Sequence, residues 1–126
     1  MDRSALTRTV RGLWDDDILP SLSALVAVPA ISPIFDPAWA AHGHLAAAVE
    51  HVRAWLADRD LPGTTVEVVA LPDRTPLLLV DVPGTAATSD TVLMYGHLDK
   101  QPEFSGWRSD LGPWTPKYED GKLYGR

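Results

Sequence analysis

Two stretches, PLLLVDV at 76–82 and TVLMYGH at 91–97, constrain the fold most tightly. Each is a nearly unbroken apolar run of strand length. A strand with one face in water alternates apolar and polar residues. An unbroken run carries apolar side chains on both faces and needs cover on both. An earlier run, the first of the three in chain order, is TTVEVVA at 64–70, which is β-branched and partly alternating. Between the second and third apolar runs, PGTAATSD at 83–90 reads as a turn.

The cover for these strands comes from upstream. From about residue 4 to 28, Leu6, Val10, Leu13, Trp14 and Ile18 recur at helical spacing, and Leu22, Leu25 and Val26 continue the stripe. Pro20 interrupts it, either as a kink or within the first turn of a second helix. Pro29, Pro33 and Pro37 punctuate a loop. Asp36-Pro37 has the form of an N-cap with proline at the first helical position, and predicts a helix running to about Arg59. Leu45, Val49, Val52 and Leu56 give that helix one apolar stripe. At the end, KYEDGKLYGR (117–126) reads as a hairpin turning at Asp120-Gly121. The fold class that follows is α/β, with two N-terminal helices packed on a mostly apolar sheet.

With 126 residues the chain is long enough for one small domain. Its net charge of −6 argues against nucleic acid as the main partner, because phosphate binding needs a basic face. It contains no cysteine, so disulfides and thiolate metal sites are excluded. Any metal must be held by His, Asp and Glu, a set suited to zinc, manganese or a similar divalent ion in a catalytic role. No apolar run approaches the ~20 residues of a membrane span, and the N-terminus shows no secretory pattern, so the default compartment is the cytoplasm.

The third run ends in Gly96-His97-Leu98-Asp99. Ligand sites of α/β sheets lie beyond the carboxyl ends of strands. Residues two apart in an extended segment share a face, so His97 and Asp99 can converge while Leu98 turns away. A metal-bound histidine usually donates its other ring N–H to a carboxylate, and Asp99 is placed for that or for direct ligation. An isolated His-x-Asp is more often a strand-end histidine beside a surface aspartate. A Ser-His-Asp relay ranks lowest, because no Gly-x-Ser-x-Gly elbow exists and nothing marks Ser105 or Ser109 as a nucleophile.

Several other residues have simpler roles. On a continuous helix, His42 and His44 do not share a face, so chelation by the pair is not expected. His44 and His51 share a face but stand about two turns apart, roughly 10 Å, too far for one ion. Asp15, Asp16 and Asp17 read as a solvated helix face. Trp107 and Trp114 are large enough to anchor the loop after the His97 strand. Trp14, Trp39 and Trp55 fall at helical positions as core or interface residues.

The sequence from Val92 to Arg126 resembles the signature of the M20 metallopeptidase family. The pieces are Gly96-His97-Leu98-Asp99, Gln101-Pro102, Trp107, Pro113-Trp114-Thr115-Pro116 and Asp120-Gly121-Lys122-Leu123-Tyr124-Gly125-Arg126. Trp114 stands where phenylalanine is commoner, and Lys100 replaces a frequent valine. The resemblance extends through LSALVAVPAISP (22–33), and the Gln-Pro and Tyr-Gly-Arg elements are most similar to the dipeptidase branch. It implies a metal-dependent hydrolase of peptide bonds with two Zn2+ ions, or Mn2+, per complete site. His97 would be a metal ligand and Asp99 the catalytic residue that orients it. The remaining ligands, the general-base glutamate and a lid or dimerisation domain would lie outside residues 1–126. The chain is thus expected to be the N-terminal portion of a catalytic domain, inactive alone, from a parent protein that forms a homodimer. Its substrate would be a small peptide, or an N-acyl amino acid if the parent is a deacylase. The alternative from another class is a non-catalytic fragment, or a subunit completed by a second chain.

Overall fold

A computed structural model describes residues 2–85 and 90–126. They fall into two packing units. One joins the residues up to Pro29 with Glu103–Arg126; the other is Ala30–Pro102. Helices and small antiparallel sheets make up the secondary structure, an arrangement compatible with the α/β class.

The first unit begins with α1, Arg3–Leu13. Asp2 caps it: its Oδ1 accepts hydrogen bonds from the backbone N–H groups of Ser4 at 2.9 Å and Ala5 at 3.3 Å. These satisfy two donors that a helix start leaves without intrahelical partners. A π-helical turn follows at Trp14–Ile18 and leads into α2, Leu19–Ala27. Pro20 lies in the first turn of α2, as one of its two expected placements. Proline has no N–H and its ring crowds the carbonyl four residues back. The wider π turn immediately before it opens the backbone at that point. The apolar stripe of α1 is not buried: Leu6, Val10, Leu13 and Trp14 all remain exposed.

The second unit starts with a short helix, α3, Trp39–His42, and continues with α4, His44–Ala57. The single helix expected from Pro37 to Arg59 is therefore two. Gly43 separates them in the left-handed region at φ 71°, closing α3 and opening α4. Asp36 does not cap a helix at Pro37. Its Oδ1 accepts from Ala38 N–H at 3.1 Å and the helix begins at Trp39. The α4 stripe is as the spacing implied, with Leu45, Ala48 and Val49 buried and Val52 and Leu56 half-buried. This face packs on β1, Thr65–Val69, and β2, Leu77–Asp81, which pair antiparallel with Val66 opposite Val80 and Val68 opposite Leu78.

Burial on both faces, expected for β2, is not observed. Leu77, Leu79 and Val80 are exposed: among the described residues α4 is the one helix that packs substantially on this two-stranded sheet. The strand expected at 91–97 forms no ladder, turn or bend. Val92, Leu93, Met94 and Tyr95 are 86–93% exposed. A lone extended segment has no neighbouring strand to satisfy its backbone groups, so strand propensity alone does not make a sheet. The turn expected at 83–90 falls partly on 86–89, outside the described residues.

Chain and hairpin return to the first unit in β3, Lys117–Glu119, and β4, Lys122–Tyr124. Asp120 and Gly121 form the two-residue turn with φ of 50° and 74°. Two successive positive φ values match the right-handed twist of a hairpin, and Asp-Gly accepts them at low cost. Among the described residues, no helix is long and apolar enough to cross a membrane.

Candidate functional site

His97 and Asp99 lie in the second unit, just before a short backbone clasp. Lys100 N–H donates to the Ala30 carbonyl at 2.8 Å, and Ser32 N–H donates to the Lys100 carbonyl at 2.8 Å. Ile31 and Lys100 thus form an isolated parallel bridge. Ala30 is fully buried, so the clasp is tied to the packed part of the unit. The free run of 91–96 ends where this anchoring begins, which holds the residues around His97 in place without a sheet.

The two side chains converge. His97 Nδ1 lies 2.9 Å from the Asp99 carbonyl oxygen and 3.1 Å from Asp99 Oδ1. Both oxygens can only accept, so Nδ1 must carry the proton and donate. In the neutral ring this leaves the lone pair on Nε2. The imidazole is 69% exposed and the carboxylate 38%, so the ring is presented to solvent rather than packed away. At that exposure the ion pair itself contributes little; its effect is to set the tautomer and the ring direction.

The pair sits at one wall of a groove of about 630 Å3. Leu45, Val49 and Val52 of α4, Ile34 of the loop before it, and Leu77 and Leu78 of β2 supply apolar lining. The size and the mix of apolar walls with a few polar groups suit a small ligand. Lys100, next to Asp99, is partly buried, and loss of hydration pushes its ammonium down to about 8.

The donor set tests whether these residues suit a divalent ion. His97 offers one oriented imidazole nitrogen, a good donor for zinc or manganese. Among the described residues, no group of three or more His, Asp and Glu side chains is placed to hold an ion. Among the described residues, the His97 site therefore offers one oriented nitrogen and does not by itself enclose a metal.

The histidines set aside in the sequence are arranged differently from expectation. His42 Nδ1 lies 2.8 Å from Asp36 Oδ2, and the rings of His42 and His44 have centroids 5.8 Å apart. The signal was the glycine between them, which allows a helix to stop and restart. In the first unit, a different cluster links Arg108, Asp110, Lys117 and Glu119. Hydrogen bonds from Arg108 and then Lys117 hold the Asp110 carboxyl well below its usual range, and Arg108 does the same for Glu119. Trp107 is half-buried, as an anchor would be, but its Nε1 is buried without a hydrogen-bond partner. Arg126 stacks over the Phe104 ring at 4.0 Å and donates its backbone N–H to Pro113 at 2.8 Å.

No family model matches the chain. A stretch of 53 residues, 40% of the chain, is 47% identical to the beta-Ala-His dipeptidase of Mus musculus. The human beta-Ala-His dipeptidase is 45% identical over 53 residues. The match spans 10% of each relative's length. This partial similarity supports a dipeptidase-like relationship.

Proposed function

We propose that the chain supplies part of the active site of a metal-dependent dipeptidase. His97 binds one ion of a two-metal centre through Nε2, and Asp99 holds the ring in the tautomer that makes this possible. The observation that carries the reading is the pair of acceptors on His97 Nδ1, at 2.9 and 3.1 Å. A carboxylate on one ring nitrogen, with the lone pair left on the other in an imidazole 69% exposed, suits a metal-ligating histidine. The partial similarity to enzymes named for beta-Ala-His supports short peptides as the substrate class in this reading; N-acyl amino acids are its alternative.

The chemistry divides between this chain and residues beyond it. A divalent ion would supply an activated water and polarise the scissile carbonyl. The residues present orient the imidazole and offer an apolar groove beside it. With one ligand, the His97 site holds zinc or manganese weakly, and residues 1–126 do not hydrolyse dipeptides alone.

One observation favours a second reading, a non-catalytic piece completed by another chain. Val92 to Tyr95 form an uncharged, strand-prone segment 86–93% exposed, and such segments are prone to pair with other strands. The two readings separate in one experiment. Beta-Ala-His hydrolysis is measured with Zn2+ or Mn2+ for residues 1–126 and for a chain extended to the length of the relatives. The enzyme reading expects no turnover from the first and turnover from the second. His97→Ala should abolish it, and Asp99→Asn should reduce it about 10- to 100-fold. Full activity in the His97→Ala protein would end this reading, and an inert extended chain would favour the second.

A further inference from the structure

The break at Gly43 brings together two imidazoles that a continuous helix would hold on different faces. His42 closes α3, Gly43 takes φ 71°, and His44 opens α4. The two rings lie 5.8 Å apart between centroids, tilted by 34°. Two imidazoles sharing one ion at bond lengths of about 2.0–2.1 Å have centroids roughly 5 Å apart. The observed separation is close to that distance.

A second feature points the same way. Asp36 Oδ2 is 2.8 Å from His42 Nδ1, and a carboxylate oxygen only accepts, so Nδ1 carries the proton. The lone pair of the neutral ring is then on Nε2. The same carboxylate also accepts the Ala38 N–H through Oδ1 at 3.1 Å, which fixes its direction. Asp36 is mostly covered, with 15% of its side chain exposed, whereas His42 is 52% exposed. A sheltered carboxylate thus orients an accessible imidazole beside a second one.

We propose that His42 and His44 form a two-imidazole site for a late first-row divalent cation, Ni2+, Cu2+ or Zn2+, with Asp36 as a positioning residue. Imidazole pairs suit these ions and not Mg2+ or Ca2+, which prefer oxygen ligands. Water completes the coordination. The bound ion bridges α3 and α4 across Gly43 and so favours the broken helix over the continuous one.

The test is calorimetric titration of the 126-residue chain with Ni2+, together with NMR of the histidine ring protons. One ion should bind, and the His42 and His44 ring signals should broaden together before those of His51 and His97. His42→Ala and His44→Ala should each weaken binding at least about tenfold. Asp36→Asn should weaken it less, and His51→Ala should leave it unchanged. Gly43→Ala retains both imidazoles but disfavours the left-handed break, and should weaken binding as much as His44→Ala. The histidine variants alter exposed or half-buried side chains, so they decide the matter even if Gly43→Ala perturbs folding. Unchanged affinity in either the His42 or the His44 variant, broadening of one ring only, or loss of the site in His51→Ala would overturn the proposal.

Discussion

Gly125 lies directly against the Val26 side chain, so close that a β-carbon at position 125 would overlap Val26 Cγ1. This contact joins the end of the hairpin to α2 within the first unit. It gives a packing reason for glycine in the Tyr124-Gly125-Arg126 sequence. Gly125→Ala should destabilise the unit by about 1–3 kcal/mol, the usual cost of forcing extra volume into a packed contact. Adding Val26→Ala should recover part of that loss, because it vacates the space. Urea denaturation of the single and double variants checks both statements.

The hydrogen bonds at His97 predict a tautomer. Neutral His97 should carry its proton on Nδ1, where two oxygens accept it. Nitrogen-15 shifts of the ring read this directly, with Nε2 as the unprotonated nitrogen. Asp99→Ala removes the carboxylate acceptor and leaves the carbonyl, so the Nε2–H form should gain population. A ring already protonated on Nε2 in the unmodified chain would contradict the geometry.

The charge cluster on the hairpin predicts an acid limb. The Asp110 and Glu119 carboxyls are held below their ordinary values by hydrogen bonds from Arg108 and Lys117. A carboxyl that is more acidic folded than unfolded stabilises the fold above the unfolded value, and that contribution fades as pH falls through the folded one. Thermal stability should therefore decline from about pH 4 downward. Asp110→Asn should flatten the decline. These groups are exposed, so the effect should shrink in high salt.

Lys100 predicts a trend of the same sign at alkaline pH. Its ammonium is pushed down to about 8 by burial, against 10.5 when unhindered. Between those values the unfolded chain binds more protons than the folded one, so stability should rise with pH across that window. Lys100→Met should remove the rise. Denaturation midpoints at pH 7.5, 9 and 10.5 would show it.

What the sequence alone determined was local. The stripe at Leu45, Val49, Val52 and Leu56 has one helical solution and one buried face. Asp120-Gly121 accepts the two positive φ values of a tight hairpin turn. His97-x-Asp99 needs only an extended backbone for its side chains to converge, and they do. Tertiary structure decided where neighbours mattered. Whether Gly43 continues or breaks a helix depends on the packing on each side, and the break brings His42 to His44. Whether TVLMYGH becomes a strand depends on a partner to receive its hydrogen bonds, and among the described residues none does. Periodicity measures which side chains could be buried together, but only the assembled neighbours determine which of them are.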